Sequence, residues 1–107
     1  MPMITIKYDD AKVKDEEVIL LSKAIQEIVS DATKIKEVFV YADSPRIKIN
    51  VAPIEIFVEM SASAITEKES LFQDIKTDLS TWKKDNNFSI PIAITLTPMD
   101  WVFEVDI

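Results

Sequence analysis

The order of secondary-structure signals runs through this chain twice, and that repetition restricts the fold more than any other feature. Met3–Tyr8 has the apolar alternation of a strand, and the polar loop 9–14 follows it. Asp15 is a suitable N-cap, with Glu16 and Glu17 at the positive end of a helix dipole. Val18, Leu21, Ile25, Ile28 and Ala32 then recur at helical spacing, which predicts an amphipathic helix ending near Ala32 or Thr33. Val38–Tyr41 reads as a buried strand, Asp43-Ser44-Pro45 as a turn, and Ile47, Ile49 and Val51 as a short half-exposed strand. The second pass brings a strand at Ile54–Met60 and a capping box at Thr66-Glu67-Lys68-Glu69. Leu71, Ile75, Leu79 and Trp82 form the helical stripe behind it, and Ile92–Thr97 is a further strand. Trp101, Phe103, Val105 and Ile107 alternate as an added edge strand.

The two passes are offset by roughly 51 to 54 residues, with slight identity between them. Each is a βαβ unit with a right-handed crossover. Together they predict an α+β fold, a four-stranded sheet with both helices on one face plus short edge strands. Residues 1–107 are read as a single domain of pseudo-repeats 2–51 and 52–107, since this length supports one modest core. The other sheet face, carrying Met3, Thr5, Glu55, Phe57, Ala93 and Thr95, has nothing left in the chain to cover it. Copies of the same chain would bury it, so an oligomer is expected.

Composition closes off several reaction classes. The chain has no His, no Cys and no Gly. A Ser-His-Asp or Cys-His triad and an ordinary zinc site are therefore excluded. Standard phosphate-cradling loops need glycine, so no cofactor and no metal is expected. A net charge of -7 argues against nucleic acid and anionic membrane as partners. With no long apolar stretch and no signal peptide, the expected location is the cytoplasm.

What remains is a short list of groups, with Pro2 at its head. If Met1 is removed, Pro2 becomes a secondary amine at the start of a strand. An α-amino group has an unperturbed pKa of roughly 7.7 to 8.0, and an apolar pocket lowers it, which makes a base. If Met1 stays, the Pro2 nitrogen is a tertiary amide without useful basicity. Arg46, the one arginine, can orient a carboxylate through its planar fork. Tyr41 and Trp101 are the other candidate substrate-binding residues, with packing as the alternative reading.

Met1-Pro2 opening into a strand, the two βαβ units, the Val51-Ala52-Pro53-Ile54-Glu55-Ile56-Phe57 start of the second pass and the short C-terminal strand together resemble the tautomerase superfamily. In length the chain is similar to the full-length branch typified by macrophage migration inhibitory factor. The resemblance spans nearly the whole chain and implies a homotrimer with a pocket around each Pro2. It also implies keto-enol isomerisation of a small keto or enol acid, with Pro2 as the general base. Family members commonly have a glycine-containing stretch after the second strand and several cations near the proline, where this chain has Ser44-Pro45-Arg46-Ile47-Lys48-Ile49.

Other readings stay open at the level of sequence. A trimeric binding or structural protein would keep the fold without the chemistry, and a dimeric ferredoxin-like ligand-binding domain would share the sheet. Glu55 and Glu59 share a strand face as an acid–base pair would. Asp9, Asp10 and Asp15 suggest calcium, although their spacing and the missing glycine do not match an EF-hand loop.

Overall fold

A computed structural model describes residues 2–107. The elements are β1 (Met3–Tyr8), α1 (Asp15–Thr33), β2 (Phe39–Asp43), β3 (Ile54–Ser61), a 3-10 turn at Ala62–Ala64, α2 (Lys68–Asp85) and β4 (Ile92–Met99). The sheet order is β2-β1-β3-β4. β1 pairs parallel with β2 and β3 with β4, each across its helical crossover, and the two units join where β1 meets β3 antiparallel. The expected α+β architecture of two helices and a four-stranded mixed sheet is therefore what the chain forms.

Register sorts the strand residues into two faces. Val40, Ile4, Val58 and Leu96 make one row beneath the helices, and Ala42, Ile6, Ile56 and Ile94 make the next. All of these except the exposed Ala42 meet Leu21, Ile25 and Val29 of α1 and Ile75 and Leu79 of α2 in one core. Burial of each such side chain stabilises by about 1.5–3 kcal/mol over leaving it exposed. On the opposite face the rows are Phe39-Met3-Glu59-Thr97, Tyr41-Thr5-Phe57-Thr95 and Asp43-Lys7-Glu55-Ala93. Tyr41 there is 57% exposed and Phe39 40%.

The helix ends differ in detail from the sequence expectation. Lys14, not Asp15, is the N-cap of α1, and its N–H donates to Glu17 Oε1 at 2.9 Å, so the acidic residues occupy the first turn. α2 is capped by Glu67 without a side-chain bond. The Thr66 box does not form, because the helix begins one residue later than that box requires. α1 stops at Lys34, whose φ of 62° is a left-handed conformation that glycine usually takes.

The two short strands expected at Ile47–Val51 and Trp101–Ile107 are not strands; neither segment enters the ladder. A strand is held by a neighbour that accepts and donates its backbone hydrogen bonds, and neither segment lies against a sheet edge of its own chain. Their apolar residues other than the half-buried Trp101 are left in the open, with Ile49 85% exposed. Among the described residues no helix is long and apolar enough to cross a membrane.

Candidate functional site

Parallel and antiparallel pairing fixes which residues gather at each end of the sheet. β1 starts, β2 starts, and β3 and β4 finish at one end, here called the Pro2 end. Tyr8, Asp43 and the loop 44–53 lie at the other. Pro2 stands directly before Met3 with its side chain less than 2% exposed. Its carbonyl accepts the Phe39 N–H at 3.2 Å. Continuing the β1–β3 register by one residue sets it opposite Met60, which is fully buried. Alternation puts its ring on the side of Ile4 and Ile6, beneath the helix layer. The state of Met1 lies outside the described residues.

Trp101 follows the end of β4 and so sits at the Pro2 end. Its Nε1 is buried with no hydrogen-bond partner, and its ring meets Phe103 edge-on at 6.1 Å between centroids. An indole N–H buried without an acceptor forfeits about 1–3 kcal/mol, which an arriving acceptor would recover. Tyr41 is midway along the open face, level with Thr5 and Phe57. Arg46 is exposed in the loop beyond β2, at the far end. Five residues of strand at ~3.3 Å each separate the level of Pro2 from that of Lys7 and Asp43, roughly 17 Å. One chain therefore brings Pro2 and Trp101 to the same end and leaves Arg46 at the other.

Two polar arrangements at the far end escaped the sequence reading. Lys48 lies on the polar side of an apparent strand, but its Nζ turns back to donate to Pro45 O at 2.7 Å, Ser44 Oγ at 3.0 Å and Asp10 Oδ1 at 3.2 Å. It clips the loop to the turn after β1. Tyr8 donates its hydroxyl to Asp15 Oδ1 at 3.3 Å. Burial first, then the charge of Asp15 and the hydrogen bond to it, with Asp10 and Asp43 behind, push the Tyr8 phenol above its ordinary pKa. No signal in the sequence separates these contacts from ordinary loop polarity. Glu55 and Glu59 are four strand residues apart, a backbone distance of roughly 13 Å, wider than the separation glycosidic acid–base pairs use. Among the described residues no group of three or more His, Cys, Asp or Glu side chains is placed to hold a metal ion.

Two clefts flank the sheet in pseudo-equivalent positions. One of about 410 Å³, beside the end of β2, is lined by Ile19, Ser22 and Ala42. The other, of about 340 Å³ beside β4, is lined by Phe72, Ile94 and Leu96. The duplication thus extends from the elements to the hollows between each helix and its outer strand.

This geometry of two parallel strand pairs meeting antiparallel, with helices on one face, is shared by proteins of known structure. Malonate semialdehyde decarboxylase superposes with a TM-score of 0.69 over 97% of this chain and 92% of its own, at 11% identity. That protein was solved as wild type, as an inactivated form and as a variant with its leading proline changed to alanine. The chain has the fold of the tautomerase superfamily. Macrophage migration inhibitory factor from Toxoplasma gondii matches this tautomerase fold at a TM-score of 0.62 and 20% identity, over 96% of each chain. A fused 4-OT, solved as an asymmetric trimer, matches at 0.64 and 13% identity over 91% of this chain and 85% of its own. No family model and no curated protein matches the sequence. At these identities the likeness is one of backbone, carried by the same two βαβ units that the sequence pattern marks out.

Proposed function

We propose that this protein is a cofactor-independent keto-enol isomerase of small α-keto acids, with the Pro2 amine as general base. The single observation that supports this most is the burial of Pro2 at the head of β1, with its carbonyl fixed on Phe39. Removal of Met1 would leave a secondary amine there. Desolvation disfavours the ammonium form, so the amine would be neutral at neutral pH and able to take a proton. In the proposed reaction the Pro2 amine takes a proton from the carbon next to the substrate carbonyl, the C–H electron pair forms the carbon–carbon double bond as the carbonyl pair moves onto oxygen, and the Pro2 ammonium gives the proton to that oxygen, so the enol forms and the amine is restored; the reverse direction runs the same transfers backwards. Trp101 Nε1 supplies a donor for a substrate oxygen, while Arg46 and Tyr41, which lie away from Pro2 within one chain, bind the carboxylate and the apolar part of the substrate from a neighbouring copy. The structural neighbour known with its leading proline changed to alanine agrees with a functional role for that position in the fold.

The assembly in this reading is a homotrimer in the cytoplasm. Its support is the open sheet face, where exposed Phe39 and Tyr41 and half-buried Met3 and Phe57 form an apolar patch that only another copy covers economically. The fused 4-OT neighbour, itself a trimer, agrees with that count.

The test starts with intact mass of protein from its native source, which tells whether Met1 is removed. Tautomerisation of phenylpyruvate and of 2-hydroxymuconate is then followed by ultraviolet absorbance for wild type and Pro2→Ala. A loss of at least ~100-fold is expected, the usual scale for a general base. Equal rates, or Met1 retained throughout, would leave a binding or structural protein of the same fold instead.

A further inference from the structure

A groove of about 470 Å³ opens between α1 and α2 on the outer side of the helix layer. The two helices run antiparallel there, as the strands β1 and β3 that precede them do. Leu20, Ile28 and Trp82 make an apolar floor, and the small side chain of Ala24 leaves the space above it empty of protein. Leu20 is 48% exposed, whereas Leu21 beside it is fully buried in the core, so folding of the chain itself does not use the Leu20 side chain. Trp82 is held by the buried Phe88, with ring centroids 5.2 Å apart, which makes its indole a fixed platform. The walls are acidic. Glu27 and Asp31 stand on α1 and Asp78 and Asp85 on α2, all exposed, and Lys23 is the one cation among the lining residues. The ion pairs among the described residues, Lys7–Asp43 and Lys48–Asp10, involve none of these carboxylates.

An apolar trough between two acidic walls is complementary to a segment that is apolar along one stripe and cationic on both flanks. We propose that the groove between α1 and α2 docks a basic amphipathic helix of a partner protein, its apolar stripe on Leu20, Ile28 and Trp82 and its Lys or Arg side chains against the carboxylates. From Leu20 to Asp31 the α1 wall is roughly 16 Å long at ~1.5 Å per residue, which receives about three turns of such a helix. A second copy of this chain is the wrong occupant. The chain carries a net charge of -7, and the groove turned on itself about a two-fold axis sets carboxylate against carboxylate. The same walls repel nucleic acid and anionic membrane. Because the groove is on the helix side of the sheet and the open sheet face is on the other, it stays accessible when that face is covered. The proposal therefore depends on neither the Pro2 chemistry nor the oligomer.

The probe is a labelled synthetic peptide of about 16 residues, with leucine at helical spacing along one stripe and lysine elsewhere, followed by fluorescence anisotropy. A peptide of the same composition in scrambled order is the control for charge alone. Wild type is expected to bind the ordered peptide at least ~10-fold more tightly than the scrambled one. Glu27→Lys combined with Asp78→Lys, two exposed positions on opposite walls, is expected to weaken that binding at least ~10-fold. Glu104→Lys combined with Asp106→Lys makes the same change of net charge outside the groove and is expected to alter it less than about twofold. Circular dichroism checks that the variants are folded, and the comparison of the two peptides on wild type stands without them. Equal affinity for the two peptides, or equal weakening by the two pairs of reversals, would reduce the binding to diffuse attraction and overturn the proposal. Displacement of the peptide by spermine at equal concentration would overturn it in favour of a small polycation, and a changed sedimentation coefficient in the Glu27→Lys, Asp78→Lys protein in favour of another copy of the chain.

Discussion

The Phe39 N–H donates to the Pro2 carbonyl at 3.2 Å, which ties the residue ahead of β1 to the first residue of β2. That tie fixes the backbone on the carboxyl side of the Pro2 nitrogen, while the ring is closed over by the core. Pro2→Ala keeps the carbonyl and removes ring methylenes. At about 0.8 kcal/mol per buried methylene, the expected loss of stability is about 1–2 kcal/mol, read as a lower urea midpoint with unchanged slope. The variant is expected to stay folded, so a fall in the tautomerisation rate measured beside wild type would be assigned to the missing secondary amine.

The same core sets a contrast between two isoleucines. Ile4 is fully buried between β2 and β3, whereas Ile47 is 72% exposed. Ile4→Ala is expected to cost about 2–5 kcal/mol in urea denaturation, transfer loss and cavity combined. Ile47→Ala is expected to leave monomer stability within about 0.5 kcal/mol, the range of surface changes. A large stability loss for Ile47→Ala at a concentration where the protein is monomeric would contradict the exposed placement of that loop.

These two residues also mark where the sequence was legible. Ile4 and Ile6 alternate in a strand whose partners lie in the same chain, so period and burial agree, and both βαβ units could be read from pattern alone. Ile47, Ile49 and Val51 alternate equally well, yet they have no partner strand in their own chain and stay open. Alternation records that a face is to be buried and is silent on which molecule buries it. The candidate site divides along the same line. Pro2 is a candidate from its position alone, but the pairing that separates Pro2 from Arg46 is a property of sheet order, which neither residue signals. Val13, Val29 and Phe88 are core residues outside the expected stripes, brought in by loop closure and helix rotation.

Lys34 ends α1 at φ 62° in a chain without glycine. A Cβ in that left-handed conformation costs about 1–2 kcal/mol, and glycine escapes it while losing more backbone freedom on folding. Lys34→Gly is therefore expected to stabilise the fold by about 0.5–1 kcal/mol, seen as a higher melting temperature. A decrease would show that the lysine side chain contributes more than its backbone costs.

Lys48 holds the loop after β2 through three acceptors, Pro45 O, Ser44 Oγ and Asp10 Oδ1. Lys48→Met preserves most of the stem and deletes the donors. The expected result is faster proteolytic cleavage within residues 44–53 with little change in global melting, because the loop opens locally while the core stays packed. Unchanged cleavage would mean the clip is not what orders the loop.

Tyr8 gives a pH dependence whose sign follows from its surroundings. Burial and the adjacent Asp15, with Asp10 and Asp43 nearby, disfavour the phenolate, so the folded pKa lies above the ordinary tyrosine value of 10.0. The folded state then holds the proton more tightly than the unfolded chain. The stabilisation is fully present below pH 10 and is lost as pH rises from there through the folded pKa. Tyr8→Phe has no phenol to ionise, so the stability difference between wild type and variant should be flat from pH 7 to 9 and should shift against wild type above pH 10. Urea titrations at a series of pH values measure it, with the difference between the two proteins cancelling the ionisation of lysines and of Tyr41. A difference that stays constant through pH 11 would mean that the Tyr8 hydroxyl is no harder to ionise in the fold than out of it, and that its bond to Asp15 carries no weight.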